Sequence, residues 1–254
     1  MPIDLKFTNR ITQVLLDKKM TQLGVVTCCT KNRTYRFDLV DMTSFQTTNS
    51  KIFDINMQNF VVKAFDNHRI VATNFSNQNN PNIVDLVVYS FTAPEPILHW
   101  PNCQVKHANI DYVILHHPTI QDAFITLSTT TGQQVDQLPT ISNIEEGLKF
   151  ANTYGEGSEY FAWFQRLLTK ESIAPIHSIE YIKAHDALIL GIYAKQNDSI
   201  VHQLMLYDTS ANLKHCEIIG TDIRSFTRDT FFISKEYLIV CAYDRVLLFN
   251  LRLI

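Results

Sequence analysis

Glycine is scarce in this sequence, with only 7 among 254 residues. A chain with many tight turns needs residues that tolerate left-handed backbone, and asparagine does so better than most non-glycine residues. We therefore expect Asn32, Asn67, Asn109 and Asn212 to take over some turn positions. The scarcity excludes glycine-rich linkers and collagen-like repeats, and the 46% hydrophobic content is that of a globular chain.

An excess of positive charge is also absent. The formal net charge is −3, the sequence pI is about 6.3, and Lys18-Lys19 is the single adjacent basic pair. Proteins that bind nucleic acid or anionic membranes usually carry a basic stripe. The composition therefore predicts no nucleic acid and no membrane as partners.

Long hydrophobic runs and regularly spaced cysteines are missing as well. No stretch has the ~18 apolar residues of a membrane helix, and the first ten residues lack the apolar core of a signal peptide. The five cysteines are an odd number, and only Cys28 and Cys29 are close in sequence. These features predict free, buried thiols in a reducing cytoplasm rather than a disulfide framework.

A short apolar strand that ends in a small polar residue recurs along the chain. Most copies lie about forty residues, or twice that distance, apart, as in the blades of a β-propeller. The copies end at Asp41, Ser90, Ser128, Asp208 and Asn250.

The clearest unit covers residues 179–219 and predicts four strands separated by polar turns. Similar units are predicted over residues 60–100 and 104–138. The last unit, from Phe231 to the carboxyl end, lacks one strand. The alternating segment Ile3–Phe7 is expected to supply that strand and so to remove exposed sheet edges.

The repeat fails between residues 140 and 174, where the hydrophobic period changes. Within this segment, residues 159–170 place large apolar side chains at i, i+3, i+4, i+7 and i+8, which predicts a helix. Ser158 is the expected N-cap. The apolar stripe consists of Tyr160, Trp163, Phe164, Leu167 and Leu168.

These patterns together predict an all-β, mainly antiparallel, propeller-like fold of about five to six blades with one inserted helix near 159–170. We expect residues 1–254 to form a single domain in which 140–174 is an insertion or a degraded blade. The alternative is a pair of two-sheet β-sandwich domains.

The units resemble WD and quinoprotein-type repeats. The likest segments are the strand ending in Tyr207-Asp208, followed by Thr-Ser-Ala-Asn, and the segment Phe124–Val135. No Trp-Asp pair and no repeated Gly-His occurs, so the resemblance implies a propeller-like fold and no catalytic residue.

The carboxyl half is also similar to an uncharacterised bacterial family, a domain of unknown function. The residues that carry this resemblance are Ile179-Glu180-Tyr181, Ile192-Tyr193 and the segment Asp229–Ile233. The family has no assigned activity, so the resemblance implies that the carboxyl half belongs to a domain of this kind and implies no function.

Motifs for metal binding or catalysis are lacking. None of the nine histidines has the spacing of a zinc site, and no nucleophile elbow or phosphate-binding loop occurs. The sequence therefore predicts no metal and no cofactor. His185, in a predicted turn, and Arg228 and Asp229, at the mouth of a strand, are the candidate residues for a polar binding site, although Asp229 has a simpler role in capping a turn.

The predicted helix is the best candidate for a contact with a partner. Trp163 and Phe164 are expected to pack onto the sheets, so Phe161 and Arg166 are expected to stay accessible. Both are residue types that are enriched in interface hot spots.

The sequence thus favours a cytoplasmic, non-enzymatic binding module whose partner is a protein or a small polar ligand. This hypothesis rests on analogy between folds. The alternative is a hydrolase or lyase in which His185, Arg228 and Asp229 converge in one polar pocket.

Overall fold

A computed structural model of the chain describes residues 2–32, 34–53, 60–75, 80–135, 148–184, 186–224, 226 and 230–253. The chain forms two compact units. One is Asn9–Ser142, here the central unit, and the other joins Met1–Thr8 to Asn143–Ile254, here the terminal unit. The single domain over 1–254 stays a prediction.

Short antiparallel strands make up most of both units. In the first half of the chain they are β1 (Ile3–Lys6), β2 (Arg10–Leu16), β3 (Gln22–Cys29), β4 (Thr34–Asp41), β5 (Thr47–Phe53), β6 (Val61–Phe65), β7 (Arg69–Asn74), β8 (Val84–Ser90), β9 (Pro96–Cys103), β10 (Val105–Ala108), β11 (Tyr112–His116) and β12 (Phe124–Ser128).

The second half continues with two short strands, one helix and seven further strands. They are β13 (Leu148–Phe150), β14 (Asn152–Gly155), α1 (Glu159–Leu168), β15 (Pro175–Ala184), β16 (Ala187–Gln196), β17 (Ser199–Asp208), β18 (Leu213–Gly220), β19 (Phe231–Ser234), β20 (Tyr237–Cys241) and β21 (Arg245–Asn250). Short 3-10 helices follow at Thr169–Glu171 and Leu251–Leu253.

The central unit contains three sheets, each a simple up-and-down meander. Their strand orders are β2-β3-β4-β5, β6-β7-β8-β9 and β10-β11-β12. Buried side chains from neighbouring sheets form shared cores, because alternate residues of a strand point to opposite faces. The first and second sheets meet around Phe37, Phe53 and Phe65, and the second and third meet around Val88 and Val113.

The terminal unit contains two five-stranded sheets, with the orders β14-β15-β16-β17-β18 and β1-β21-β20-β19-β13. One face of β16 and β17 packs against the other sheet through residues such as Ile189, Leu206 and Phe231. The opposite face is covered by helix α1, which packs on Ile192 and Met205.

Strand β1 pairs antiparallel with β21 and brings Ile3 opposite Leu248. The amino-terminal segment therefore supplies a strand to the last sheet, as the sequence predicts. Residues of the 140–174 segment also extend sheets, because β13 pairs with β19 and β14 pairs with β15. The description of this segment as an insertion or a degraded blade stays a prediction.

Successive meanders of three to five antiparallel strands give an all-β, propeller-like topology, and this part of the sequence prediction is confirmed. The described residues form five sheets, within the expected range. The three sheets of the central unit exclude the alternative of a two-sheet sandwich for that unit.

The prediction that Asn32, Asn67, Asn109 and Asn212 supply left-handed turn positions is wrong, because none of them has positive φ. Among the described non-glycine residues with positive φ, the only asparagines are Asn102 and Asn197. Carboxylate side chains also stabilise the turns: Asp208 Oδ1 accepts the backbone N–H groups of Ser210 and Asn212, each at 2.9 Å. In this turn the left-handed residue is Ala211, with φ 60°, so the side-chain acceptor and the left-handed backbone act together.

All five cysteines are free. The expectation that they are buried fails for Cys216, which is exposed on β18, while the others are partly buried. Across the described residues, no helix has both the length and the apolar character needed to cross a membrane.

Candidate protein-binding surface on helix α1

Helix α1 begins with a side-chain cap. Ser158 has extended backbone, with φ −79° and ψ 150°, and its Oγ accepts a hydrogen bond from Phe161 N at 3.1 Å. The cap satisfies one of the first four N–H groups, which have no partner inside a helix. The predicted N-cap is thus confirmed, and α1 is fixed at its start.

Replacement of Ser158 by alanine is expected to destabilise the terminal unit by about 1 kcal/mol, the usual cost of a lost serine cap. The measurement is urea unfolding followed by circular dichroism. Ser158→Asp is the matched variant, because aspartate also caps helices. Equal losses from both variants would contradict the capping role.

The buried face of α1 differs from the face that the sequence predicts. Phe161 is 6% exposed and Phe164 is 2% exposed, whereas Trp163 is 51% exposed and Tyr160 is 61% exposed. The expectations that Phe161 is accessible and that Trp163 packs onto the sheets are therefore wrong. Phenylalanine has no polar atom, while tyrosine and tryptophan need a hydrogen-bond partner when buried.

The exposed aromatic rings border a groove of about 640 Å³ on the surface of the terminal unit, which we call the α1 groove. Tyr160 stacks on Tyr154 with ring centroids 4.7 Å apart, and Trp163 meets Phe164 edge to face at 4.9 Å. The lining residues are Glu159, Tyr160, Ala162, Trp163, Phe164, Arg166 and Tyr181.

Charged groups lie at either end of this aromatic surface. Glu159, Trp163 and Arg166 are at i, i+4 and i+7, so they share one side of the helix, and all three are exposed. Arg166 Nε donates to Ala162 O at 3.4 Å, a bond to its own helix. Arg166 is exposed and lines the α1 groove together with Trp163.

A buried polar cluster lies between the two sheets of the terminal unit. Glu180, 1% exposed, accepts hydrogen bonds from Thr230 N at 3.2 Å and from Thr230 Oγ1. His202 stacks on Tyr193 with centroids 4.2 Å apart, and its Nε2 is 4.0 Å from Glu180 Oε2. A Cβ at Gly191 would lie 2.7 Å from Phe231 Cε1 and 3.3 Å from Glu180 Oε2, so glycine leaves room chiefly for the Phe231 ring beside the carboxylate.

Burial shifts the pKa values of two groups beside this cluster. Desolvation lowers the pKa of His202 to about 4, so its imidazole is neutral at pH 7. Desolvation, reinforced by the Glu180 carboxylate, raises the pKa of the Cys241 thiol to about 12. Cys241 is therefore a poor nucleophile at neutral pH.

Three of the five residues that the sequence proposes for binding, His185, Arg228 and Asp229, lie outside the described residues. The other two, Phe161 and Arg166, share helix α1 but not a face, since Phe161 points into the core. Within the described ranges, no three His, Cys, Asp or Glu side chains are placed to hold a metal ion.

Sequence reasoning missed the accessible pair Tyr160 and Trp163 and the buried pair Glu180 and His202. The sequence does contain a signal for the exposure of the first pair, because tyrosine and tryptophan each carry a polar atom that favours the water-facing side of an amphipathic helix. Glu180 lies between Ile179 and Tyr181, which point to the opposite face of the strand, so local alternation predicts an exposed carboxylate and gives no signal of its burial.

No family model and no curated protein matches the chain. Among solved structures, the β-propeller domain of Myceliophteria thermophila Cps50 (Swd1) is similar at 6% identity and a TM-score of 0.39, over 98% of this chain and 99% of that chain. Kluyvelomyces marxianus Hsv2 is similar at 7% identity and a TM-score of 0.35, over 96% of this chain and 73% of that chain.

The protein lmo1340 from Listeria monocytogenes is similar at 8% identity and a TM-score of 0.35, over 92% of this chain and 78% of that chain. Likenesses at this level carry no functional assignment. The propeller-like fold of this chain therefore rests on the order and pairing of its own strands.

Proposed function

We propose that this chain is a non-enzymatic protein-binding module that presents helix α1 to its partner. The observation that carries the proposal is the exposure of Trp163, 51%, and Tyr160, 61%, beside Arg166. Tryptophan, tyrosine and arginine are the residues most enriched in interface hot spots.

The support beneath these side chains favours the same function. Phe164 and Leu168 are 2% and 0% exposed and anchor the helix to the sheet. Tyr154 and Phe164 contact the rings of Tyr160 and Trp163 from below. Aromatic side chains held in place before binding lose little conformational entropy when a partner docks.

The partner is expected to have an apolar anchor for the α1 groove and to be a protein rather than a nucleic acid. The cytoplasmic location and the membership of the bacterial family without assigned activity stay predictions. A hydrolase or lyase site at the strand mouth also stays a prediction, since its residues lie outside the described part of the chain.

Affinity purification with wild type, Trp163→Ala and Arg166→Ala tests the proposal. We expect at least one protein to be retained by wild type and reduced about tenfold or more by each substitution, the usual size of a hot-spot loss. Gln165→Ala is the matched control, because Gln165 is exposed on the same helix and does not line the groove.

The retained protein is then purified and its affinity for the same four chains is measured by calorimetry. Identical retention by all four chains would exclude α1 as the contact surface. A loss shared by Gln165→Ala would indicate a damaged helix rather than a lost contact.

A further inference from the structure

A pocket of about 350 Å³ in the central unit combines a buried lysine with acidic and amide groups, and we call it the Lys51 pocket. Its volume is near the lower end for small-molecule sites, so it suits a small ligand. The residues on which the inference rests are Lys51, Asn74, Asp85, Val87, Tyr89 and His99.

Lys51 forms the basic end of the pocket. It is 9% exposed, and its Nζ donates to Ala93 O at 2.5 Å and lies 5.7 Å from the ring centroid of Tyr89. An ammonium has three donors, so an acceptor that enters the pocket finds a further donor there. Burial lowers the pKa of the Lys51 amine, because the surrounding groups solvate the charged form less well than water does. The Glu95 carboxylate acts in the opposite direction and raises this pKa.

Asn74 and Asp85 form the acidic end. They lie opposite each other in the β7–β8 ladder. Asn74 Oδ1 is buried and has no hydrogen-bond partner in the described part of the chain. Asp85 Oδ1 accepts Asn102 N at 2.9 Å, and its Oδ2 lies 3.7 Å from His99 Nε2. Two acceptor groups thus lie together, and an orphaned buried acceptor is costly unless a donor reaches it.

One face of β8 connects the two ends, from Asp85 at the acidic end to Tyr89, whose ring lies near Lys51. Asp85, Val87 and Tyr89 alternate along β8, so about 13 Å of strand separates the first from the last. Val87, 6% exposed, forms an apolar surface between them. A ligand that spans the pocket therefore meets acceptors, an apolar floor and then a cation.

We propose that the Lys51 pocket binds a short zwitterion with a primary ammonium at one end, a carboxylate at the other and a methylene chain between them. The ammonium donates to Asn74 Oδ1 and Asp85, and the carboxylate accepts from Lys51. Glu95 is exposed, so its attraction for Lys51 is screened by water and a ligand carboxylate can replace it.

The test is calorimetric titration of the full chain with ω-amino acids from glycine to 8-aminooctanoic acid. We expect an optimum at intermediate or long chain length, at which the affinity exceeds that of the alkylamine and the alkanoate of equal length by about tenfold or more. Triglycine has the same number of chain atoms as 8-aminooctanoic acid, and it distinguishes a peptide from a methylene chain. Weaker binding of triglycine is expected, because its peptide groups would lie on Val87.

Two variants test which end of the pocket binds the ammonium of the ligand and which binds its carboxylate. Lys51→Met keeps the aliphatic stem and is expected to reduce the affinity for the best zwitterion to that of the alkylamine, and Asp85→Asn to that of the alkanoate. Lys31→Met, at an exposed turn, is the control and should bind as wild type does. Thermal melting checks that each variant is folded.

The inference is overturned if no ω-amino acid binds wild type, if the alkylamine binds as tightly as every zwitterion, or if Lys51→Met leaves the affinity unchanged. The series on wild type decides the question even if a substitution prevents folding. If triglycine bound tightly and no ω-amino acid did, the proposal of a methylene chain in the ligand would be wrong, and the pocket would be assigned to a peptide.

Discussion

Phe161→Ala is expected to destabilise the terminal unit by about 3 kcal/mol, at the lower end of the range for a buried phenylalanine. The ring is 6% exposed and packs in the core that joins α1 to β16 and β17. Its removal leaves a cavity under the helix, and the neighbouring side chains close it only in part. Trp163→Ala is expected to cost about 1 kcal/mol, because half of its surface already faces water.

Urea unfolding followed by circular dichroism measures both losses, and it avoids tryptophan fluorescence, which one of the variants would change. Gln165→Ala provides the baseline for an exposed position of the same helix. If Trp163→Ala cost more than Phe161→Ala, the helix would bury the face that the sequence pattern predicts. The exposed anchor of the proposed interface would then be lost.

The face of α1 could not be fixed from the sequence, because two apolar stripes overlap. Phe164, Leu167 and Leu168 belong to both stripes, and only the first turn distinguishes them. Periodicity counts Tyr160 and Trp163 as apolar, although each has a polar atom that favours a wet position. The structure places Phe161 inward instead, one residue away from the predicted stripe.

The strands of residues 179–219 were predictable because their sequence satisfies two conditions together. β16 and β17 are long and apolar, and a polar turn separates each from the next strand. The sheet β2-β3-β4-β5 went unrecognised apart from the strand ending at Asp41. Its last strand, Thr47–Phe53, is polar over most of its length and buries only Lys51 and Phe53.

The Lys51 pocket could not be predicted from the sequence, because its residues are brought together only by tertiary packing. Lys51 and its acceptor Ala93 are 42 residues apart, and burial of the lysine depends on how two sheets meet. Local composition classes a lysine in a polar strand as exposed. The Lys51 ammonium is buried because Phe53 and Tyr89, from two different sheets, pack against each other with ring centroids 4.9 Å apart.

Acidification is expected to destabilise the terminal unit through His202. The pKa of its imidazole is about 6.5 in an unfolded chain and about 4 in the folded protein, where burial disfavours the charged form. The unfolded state therefore binds the proton more tightly. The contribution of His202 is fully present above pH ~6.5, declines as the pH falls toward ~4 and amounts to about 3 kcal/mol in total.

Other groups lose their contributions in a different range of pH. Backbone N–H bonds hold the pKa values of Asp41 and Asp208 below the ordinary value of 3.8. Their stabilisation is present above that value and is lost below it as they are protonated. Burial raises the pKa of Asp38, which acts with the opposite sign as the pH falls. A difference between two chains that share these groups cancels their contributions.

The matched variant is His202→Phe, which keeps the ring stacked on Tyr193 and removes the titrating group. Urea unfolding of both chains at several values between about pH 7.5 and about pH 4.5 gives the difference in free energy of unfolding. We expect wild type to lose about 2.5 kcal/mol more than the variant over this range, because the loss is not yet complete at about pH 4.5. The opposite slope would mean that Glu180, 4.0 Å away, pairs with the imidazolium and outweighs desolvation. In that case the folded state would bind the proton more tightly, and stability would be lost as the pH rises instead.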